Sequence, residues 1–310
     1  MPAVHPLLDP IVRSAIERET SAHLGRPWRQ VGFVDLDDRA SHPCGVLVGT
    51  GFRVFAKLSN AVDARVQFAA ELDGASLLRA NMPAATITPV GAGLLDFDGG
   101  AVLLIEALDE AAKPRQSEDW RAIGRTLARV HRVRGDRFGR DGNGYFGPLP
   151  QDNRPVDSNQ WHDFYAARRI LPNLRFAVDS GHLPKRLADE TEHLVANLAS
   201  RCGPEVEPAL LHGDAQQNNF VNTSTGAVFV DAAPYYGHPE LDLALVDIFE
   251  PAADAVFDGY RETGTIDADF GQRRELWRIY AYLAITAVDG TSAFGQRFIP
   301  RLADALSQYR

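Results

Sequence analysis

The spacing of apolar residues divides the first third of the chain into a helix, several strands and a second helix. Between Pro6 and Leu24 apolar residues recur every three or four positions, which predicts an amphipathic opening helix. A second helix is predicted over Arg65 to Ala80. The predicted strands between these helices run over Trp28 to Leu36, Gly45 to Val48 and Phe52 to Leu58.

A further hairpin is predicted from Leu94 to Phe97 and from Ala101 to Leu108, with its turn at Asp98-Gly99-Gly100. Residues 1–108 should therefore form a small β-rich lobe. Residues 109–310 should form a larger, mainly helical lobe, so the fold class is α+β. A chain of 310 residues suits two such lobes around one cleft.

The helical pattern of the second part begins after Ser117, a residue suited to a helix N-cap. The helix from Ser117 to Arg134 places its apolar residues at three-to-four spacing. His131 lies on a flank of that face, and we expect it to be packed and hydrogen-bonded rather than catalytic. Further helices are predicted over Ala166 to Arg186, Leu187 to Cys202, Glu240 to Tyr260 and Phe270 to Leu306.

Composition narrows the class of protein. Hydrophobic residues make up 45% and charged residues 24% of the chain, so a sizeable core can form. The net charge of −9 argues against nonspecific nucleic-acid binding, which needs a basic surface. No apolar run approaches the length of a membrane span, and the first residues do not resemble a signal peptide, so we expect a cytoplasmic protein. We also expect a monomer or a weak homodimer. Cys44 and Cys202 fit neither a disulfide framework nor a zinc site.

The segment from His212 to Asn219, His-Gly-Asp-Ala-Gln-Gln-Asn-Asn, carries the candidate chemistry. A kinase needs one carboxylate to orient and deprotonate the acceptor hydroxyl, and further oxygen ligands for the magnesium that bridges the ATP phosphates. Asp214 can be the catalytic base and Asn219 a metal ligand, because a loop can turn two side chains five positions apart toward one cavity.

A second metal ligand follows twelve residues after Asn219. The residues Phe220 to Val230 predict a tight hairpin, because turn-forming residues lie between two β-branched and aromatic runs. Asp231 lies at the exit of this hairpin, which returns the chain beside the catalytic loop. The ordered set therefore predicts a phosphoryl-transfer site.

A lysine near the end of a strand is the candidate phosphate clamp. Lys57 ends the apolar run of the third strand, and Glu71 lies on the helix that follows. A lysine that contacts the α- and β-phosphates needs a carboxylate to hold its ammonium group in place. Glu71 is the best candidate, and Asp63 and Asp73 are local competitors.

Two further segments are expected to contact ATP. Glu106, Ala107 and Leu108 lie where the lobes would join, and an extended chain there offers backbone groups to an adenine edge. The loop from Asp35 to Cys44 should cover the phosphates, although it has no glycine before Gly45. We expect a differently shaped flap, with Arg39, Ser41 or backbone amides as phosphate contacts.

These residues and several other motifs resemble the fructosamine kinase (ketosamine-3-kinase) family, which is akin to aminoglycoside phosphotransferases and has a protein-kinase-like fold. The matching segments include Phe68 to Glu71, Leu127 to His131, Phe138-Gly139, Tyr145 to Gly147, Gln151 to Asn153, Trp161 to Ile170, the catalytic segment, and Val230 to Ala244. The resemblance implies an ATP- and Mg²⁺-dependent kinase that phosphorylates a sugar hydroxyl of a ketosamine. It also implies that His212 and Asp242 brace the catalytic loop.

The chain departs from the family at one informative position. Family members usually read HGDLWSGN, whereas Gln216 stands here at the place of the tryptophan. An amide offers hydrogen bonds where the indole offers a face for stacking a sugar. Besides Gln216, the acceptor side should be polar and aromatic and should suit a sugar or amino-sugar substrate. Its other candidate residues are Trp161, Asp163, Arg168, Tyr235, Tyr236, His238 and Glu240.

Three alternatives remain open at this point. Gln216 and the acidic acceptor side also suit an antibiotic-type phosphotransferase acting on aminoglycosides. The acidic, glycine-poor flap suits a pseudokinase that binds a nucleotide without turnover. Cys44, expected in an exposed loop at the end of the flap, could form a redox switch by pairing between two chains, although such a cysteine is more often incidental.

Overall fold

A five-stranded antiparallel sheet organises the N-terminal part of the computed structural model, which describes residues 5–39, 42–111 and 113–310 and, for Arg39, the backbone only. The strand order is β1-β2-β3-β5-β4. The strands are β1 (Gln30–Asp35), β2 (Cys44–Gly49), β3 (Phe52–Ser59), β4 (Pro89–Phe97) and β5 (Gly100–Glu106). Two helices accompany the sheet, α1 (Pro10–Leu24) and α2 (Ala64–Asn81).

The two faces of this sheet are covered by different helices. On one face Val102 and Leu104 of β5 belong to a buried cluster with Ile16 of α1. On the other face Leu103 of β5 belongs to a second cluster with Phe68 of α2. Because side chains alternate along a strand, β5 is buried on both faces and reads as a nearly continuous apolar run. The packing fixes α2, which carries Glu71, across the strand that carries Lys57.

The rest of the described chain is mainly helical, with short two-stranded ribbons between the helices. The helices are α3 (Ser117–Val130), α4 (Trp161–Tyr165), α5 (Leu171–Asp179), α6 (Lys185–Ala196), α7 (Pro239–Leu245), α8 (Ala255–Arg261), α9 (Phe270–Asp289) and α10 (Phe298–Ser307). The strands are β6 (Asn143–Phe146), β7 (Leu149–Asp152), β8 (Ala209–Leu210), β9 (Phe220–Thr223), β10 (Gly226–Phe229) and β11 (Tyr236–Gly237). The ribbons pair β6 with β7, β9 with β10, and β8 with β11.

Several predicted helices are divided into shorter ones. The predicted helix from Ala166 to Arg186 is a π-helical turn over Ala166–Ile170 followed by α5, and it stops before Gly181, whose φ is 74°. The helix predicted over Phe270 to Leu306 ends at Gly290 and restarts as α10. The break between α7 and α8 contains Pro251. Glycine and proline interrupted helices that the apolar spacing alone had joined.

The order of a small sheet followed by helices agrees with the α+β prediction. The boundary at residues 108 and 109 stays a prediction, although it falls in the segment between the end of β5 and the start of α3. In the part of the chain that the structure describes, no helix combines the length and the apolar character that crossing a membrane requires.

Candidate active site

The strand lysine holds two carboxylates from different parts of the chain. The Nζ atom of Lys57 donates to Oε2 of Glu71 at 2.7 Å and to Oδ1 of Asp231 at 2.7 Å. Lys57 is 7% exposed, so these ion pairs form largely out of water. Although burial acts to lower it, the two carboxylates raise the pKa of Lys57 above its ordinary value, and the ammonium stays charged. The predicted partner Glu71 is the one that the structure brings to Lys57.

The two polar residues of the catalytic loop contact each other. The Nδ2 atom of Asn219 donates to Oδ2 of Asp214 at 2.9 Å and to the Asp214 carbonyl oxygen at 2.9 Å. Asn219 ends a 3₁₀ turn over Gln217–Asn219, which brings the two side chains together. With its nitrogen held by Asp214, the amide of Asn219 directs its oxygen elsewhere. In the hydrogen bonds of the described residues that oxygen is not engaged, so it can act as a ligand.

The β9–β10 hairpin places Asp231 beside this loop. The backbone N–H of Val230 donates to the carbonyl oxygen of Asn219 at 3.0 Å, so the residue before Asp231 is tied to the residue that contacts Asp214. Asp231 has a φ of 50°, a left-handed conformation that few non-glycine residues adopt, although aspartate adopts it more often than most. Such outliers persist where the surrounding structure holds them, and they concentrate at functional sites.

A buried carboxylate holds the backbone of the catalytic loop. Asp242, which is fully buried, accepts the N–H of His212 at 2.6 Å and that of Gly213 at 3.0 Å. His131 contacts the same carboxylate through Nε2 at 3.1 Å and the hydroxyl of Tyr260 through Nδ1 at 2.9 Å. Hydrogen bonds to an ionised acceptor are about twice as strong as neutral ones. His131 is therefore packed and hydrogen-bonded, as expected, and supports the residue that braces the loop.

The loop approaches a neighbouring segment too closely for a side chain at Gly213. Its φ is 85°, and a Cβ atom there would lie 2.0 Å from the carbonyl oxygen of Ala233. The Ala233 N–H in turn donates to the carbonyl oxygen of His212 at 2.9 Å. His212 is fully buried between Phe220 and Phe229, and its Nδ1 accepts the N–H of Asp214 at 3.2 Å. Only glycine fits this position.

The environment of Asp214 favours proton transfer near neutral pH. Burial, followed by the charge of Asp231, raises the pKa of its carboxyl to about 7, although the hydrogen bond from Asn219 acts to lower it. A general base is most effective when its pKa lies near the working pH. The same burial acts on Glu71, whose pKa is raised to about 7 despite the charge of Lys57.

The donor set fits a hard divalent cation. Asn219 offers an amide oxygen, and Asp231 offers a carboxylate whose Oδ2 is not engaged by Lys57 in the described hydrogen bonds. The Asp231 side chain is 48% exposed, so the carboxylate can be reached from solvent. Magnesium prefers oxygen ligands of this kind and keeps several waters. The residues therefore fit Mg²⁺ rather than a metal that needs sulfur or imidazole ligands.

At the junction between sheet and helices, the backbone amides of the three predicted hinge residues differ in their hydrogen-bond partners. The Glu106 N–H donates to the Thr88 carbonyl oxygen at 2.8 Å, and the Ala107 N–H donates to that of Arg53 at 3.1 Å. Among the described residues, the N–H of Leu108 has no such partner. Of the three predicted hinge residues, Leu108 is therefore the one whose amide is available.

The flap is stabilised by its own acidic residue. Asp37 lies in a 3₁₀ turn over Asp37–Arg39, accepts the N–H of Cys44 at 2.8 Å and contacts Nε2 of His5 at 2.9 Å. These contacts, led by the one from His5, hold the pKa of Asp37 below its usual value. The predicted phosphate contacts fall on Ser41 and on the side chain of Arg39, both of which lie outside the described residues.

The prediction that Cys44 lies in an exposed loop is wrong. Cys44 is the first residue of β2 and is 1% exposed, with its Sγ bonded to the carbonyl oxygen of Leu36 at 3.3 Å. Burial raises the pKa of its thiol to about 11, so the reactive thiolate is scarce near neutral pH. The burial argues against a disulfide between chains. Cys44 and Cys202 are both free thiols, in agreement with the sequence.

Four residues predicted on the acceptor side are buried in the helical core. Tyr235 is fully buried beneath the guanidinium of Arg169, and Trp161 and His238 are 6% and 4% exposed. Glu240 is 5% exposed and bonds the guanidinium of Arg273 at 2.6 and 2.9 Å. The prediction failed because aromatic and acidic residues near a catalytic motif can equally close a core. The prediction that these four residues line the acceptor side is therefore wrong.

The other acceptor candidates keep part of their surface. Gln216 is partly exposed, although its Oε1 atom is buried and has no hydrogen-bond partner among the described residues. Tyr236 is also partly exposed, with its ring against Gly135. Asp163 is exposed, whereas Arg168 is bound to Asp152 at 2.9 Å. Of the acceptor candidates that keep part of their surface, Gln216 is the one that lies within the catalytic loop.

Sequence reasoning missed a buried aromatic and basic group below the loop. Tyr280 of α9 is fully buried, and its pKa is raised by burial and, to a smaller extent, by nearby charges that include Asp214. Arg169 lies in the π-helical turn, is fully buried and donates to Oδ1 of Asn153 at 2.6 Å. The helical spacing of α9 indicates a core position for Tyr280, but no local signal shows which site it would approach.

Comparison with known proteins gives one consistent result. The family model described as fructosamine kinase matches residues 12–309. The probable ketoamine kinase of Synechocystis is 28% identical over 282 residues, covering 90% of this chain and 92% of its own. The ketosamine-3-kinase of Mus musculus is 27% identical over 260 residues, covering 74% of this chain and 81% of its own.

Solved structures agree with the sequence comparison. A crystal structure assigned as a fructosamine-3-kinase from Thermobifida fusca YX-ER1 superposes with a TM-score of 0.79 at 27% identity, covering 94% of this chain and 99% of that one. An aminoglycoside phosphotransferase superposes with a TM-score of 0.62 at 13% identity, covering 95% of this chain and 98% of that one, which shows a shared fold. The prediction of a two-lobed, protein-kinase-like α+β fold is confirmed. The chain belongs to the fructosamine kinase family, whose members are phosphotransferases acting on sugar hydroxyl groups.

Proposed function

We propose that this protein transfers the γ-phosphoryl group of ATP, with Mg²⁺, to a sugar hydroxyl of a ketosamine. The observation that carries the proposal is the junction of two hydrogen-bonded sets. In the first set, the Lys57 ammonium bonds both Glu71 and Asp231. In the second set, the Asn219 amide bonds Asp214. A backbone hydrogen bond from Val230 to Asn219 holds the two sets side by side. These contacts support the proposal that a cation site, a phosphate clamp and a base share one cleft.

Each residue has a role that its contacts support. Asp214 accepts the proton of the acceptor hydroxyl while the hydroxyl oxygen bonds to the γ-phosphorus, and the bond from that phosphorus to the bridging oxygen of ADP breaks. Lys57 contacts the phosphates and is held in place by Glu71. Asn219 and Asp231 would hold Mg²⁺, which supplies charge neutralisation for the phosphates.

Asp231 would serve Lys57 and the cation through different oxygens. Its Oδ1 accepts from the ammonium of Lys57, and its Oδ2 would be the oxygen offered to Mg²⁺. The ion pair of Lys57 with Glu71, whose side chains are 9% and 17% exposed, would keep the ammonium in place. The adenine ring would accept a hydrogen bond from the N–H of Leu108.

The acceptor is proposed to be a ketosamine because two relatives, matched over 92% and 81% of their own lengths, are named as a probable ketoamine kinase and a ketosamine-3-kinase. Gln216 stands where an aromatic residue is usual in the family. Its side chain is partly exposed, and its Oε1, which is buried without a partner among the described residues, would have to turn outward to accept a hydrogen bond from a substrate hydroxyl or amine. Recognition at this point would then depend on hydrogen bonding rather than on stacking.

An acceptor panel tests the proposal. Purified protein is incubated with ATP and Mg²⁺, and ADP release is measured with a fructosamine of an Nα-protected lysine, with an aminoglycoside and without an acceptor. We expect ADP release that depends on the fructosamine, and NMR should show which sugar hydroxyl carries the phosphate. Release with the aminoglycoside alone would move the protein to the antibiotic-type class. No acceptor-dependent release from any compound, with ATP still bound, would favour a pseudokinase.

A substitution at the family's stacking position tests the acceptor contact. Gln216→Trp replaces the amide with the residue usual in the family, whereas Gln216→Ala removes both kinds of contact. If Gln216 contacts the acceptor, both variants should change KM for the fructosamine and leave KM for ATP within about twofold, since binding contacts act mainly on KM. Equal kinetic constants in all three proteins would exclude this contact.

A further inference from the structure

A histidine at the end of the flap lies beside the phosphate clamp. His42 is the second residue before β2, and its ring centroid lies 5.9 Å from that of Phe68. The Nζ atom of Lys57 lies 5.5 Å from the centroid of the same Phe68 ring. Phe68 is 2% exposed, whereas His42 is partly exposed. The Phe68 ring therefore has the flap histidine and the clamp lysine as neighbours.

Strand pairing explains why His42 lies on the clamp side of the sheet. Cys44 is directly opposite Lys57 in the β2–β3 pair, and Lys57 is opposite Leu103 of β5. Residues directly opposite each other project from one face of a sheet, which here is the face that α2 covers. Side chains two positions apart in a strand share a face, and the contact of His42 with α2 shows that it keeps to this one. The carbonyl oxygen of Pro43 accepts a backbone N–H of β3 at 2.9 Å, which holds the chain beside His42 against that strand.

The charges of the clamp act on His42. Burial lowers the pKa of its ring, the charge of Lys57 lowers it further, and the charge of Asp231 opposes both. These two charged groups are the ones that the proposed function assigns to the phosphates and to their cation. Neutral or protonated, an imidazole ring carries at least one N–H. His42 can therefore donate a hydrogen bond to an anionic oxygen in either state.

At the two positions after His42, the flap backbone has no amide to offer a phosphate. Glycine-rich loops bind phosphates through backbone N–H groups that approach closely. Pro43 has no N–H, and the N–H of Cys44 donates to Oδ1 of Asp37 at 2.8 Å. A side-chain donor is the alternative at this end of the flap, and His42 is the residue that faces the clamp.

Two of the three carboxylates of the flap bond to its own backbone. Oδ1 of Asp35 accepts the N–H of Asp37 at 2.9 Å, and Asp37 accepts that of Cys44. The third, Asp38, is exposed to solvent. The attraction for a triphosphate comes from the Lys57 ammonium and from the cation of the proposed site. His42 adds a hydrogen-bond donor to this set and no negative charge.

We propose that His42 donates a ring N–H to a phosphate oxygen of ATP, in place of the backbone amides of a glycine-rich flap. The inference rests on the proposed function, in which Lys57 contacts the same phosphates. The sequence favoured Arg39 and Ser41 for this contact, because a single histidine before a proline belongs to no phosphate-binding motif. Only the pairing of β2 with β3 brings His42 to the clamp.

Calorimetric titration of the full chain tests the contact with two ligands, ATP with Mg²⁺ and adenosine, which has no phosphate. His42→Ala should bind ATP about tenfold more weakly than the wild type, because a hydrogen bond to a charged acceptor is lost. Its affinity for adenosine should stay within twofold of the wild type. His42→Gln keeps a side-chain N–H and should bind ATP more tightly than His42→Ala. His193→Ala is the matched control, since His193 is exposed on α6, and it should bind both ligands as the wild type does.

The outcomes of this titration separate the inference from the proposed function. Equal affinity for ATP in the wild type and in His42→Ala would overturn the inference alone. An equal loss of affinity for ATP and for adenosine would also overturn it, because His42 would then support the flap and not a phosphate. A wild type that does not bind ATP would refute both the proposed function and the inference.

A crystal of the full chain with Mg²⁺ and a non-hydrolysable ATP analogue locates the contact directly. The proposal predicts a ring nitrogen of His42 within hydrogen-bond distance of a phosphate oxygen. If the analogue lies beside Lys57 and both ring nitrogens of His42 contact only water or protein atoms, the proposal is wrong. This structure decides the question by itself if His42→Ala does not fold.

Discussion

Asp242→Asn should damage both the stability of the protein and its turnover, because one buried carboxylate holds the catalytic loop. The substitution keeps the shape of the side chain and removes its charge and one acceptor. Oδ2 of Asp242 receives the N–H of His212 and Nε2 of His131, and Oδ1 receives the N–H of Gly213. An amide has one acceptor oxygen, so in either orientation its NH₂ group faces a backbone N–H.

The magnitude follows from these contacts. A hydrogen bond to a charged acceptor contributes about 1.5 to 3 kcal/mol, and a buried donor left without a partner costs about 1 to 3 kcal/mol more. Since Asp242 is fully buried, solvent cannot replace the lost bond, and we expect the free energy of unfolding to fall by about 3 kcal/mol. A displacement of the loop by about 1 Å would lower turnover about 100-fold.

Urea denaturation and acceptor-dependent ADP release measure the two effects. Asp247→Asn is the matched control, because the described ion pairs of the Asp247 carboxylate are with Arg274 and Arg278 in the helical part. The control should lose some stability and keep its turnover. If Asp242→Asn unfolds within about 0.5 kcal/mol of the wild type and turns over within twofold of it, Asp242 does not brace the loop.

Three further predictions concern other positions. Burial lowers the pKa of His238 to about 4 from 6.5, so the unfolded chain binds a proton at this residue more readily than the folded chain does. This difference should lower the free energy of unfolding by about 2 kcal/mol between pH 7 and pH 5. Urea titrations should show that the free energy of unfolding depends less on pH in His238→Asn than in the wild type. Gly213→Ala should cost about 3 kcal/mol, whereas Gly181→Ala, with the same sign of φ and open space around it, should cost about 1 kcal/mol; thermal denaturation compares the two variants. Lys57→Met should lower acceptor-dependent ADP release by more than about 100-fold without changing the fold seen by circular dichroism.

The elements that were predictable from sequence are those whose pattern is local. Ser117–Val130 has its apolar residues on one face, and the helix was correct in place and type, although Gln116 rather than Ser117 precedes its first turn. The set of Lys57, Glu71, Asp214, Asn219 and Asp231 could be proposed because phosphoryl transfer needs these groups and because their order along the chain is typical of kinases. The structure brings them into two hydrogen-bonded sets, Lys57 with Glu71 and Asp231, and Asp214 with Asn219.

The residues that sequence could not place depend on contacts between distant segments. Glu240 looked like an acidic substrate contact, but Arg273, 33 positions later, neutralises it in the core. Tyr235 and Tyr236 are neighbours of the same type, and only the pairing of β11 with β8 decides which one faces inward. Cys44 follows a polar loop, but strand pairing buries it opposite Lys57. In each case tertiary structure decides exposure.

The most direct test of the account compares turnover and nucleotide binding in Asp214→Asn. Acceptor-dependent ADP release is measured beside calorimetric titration with ATP and Mg²⁺. If Asp214 receives the proton of the acceptor hydroxyl, turnover should fall about 1,000-fold, as the loss of a general base commonly causes, while the Kd for ATP stays within about threefold of the wild type. Turnover within tenfold of the wild type, with any acceptor, would contradict the assignment of Asp214 and the site built around it.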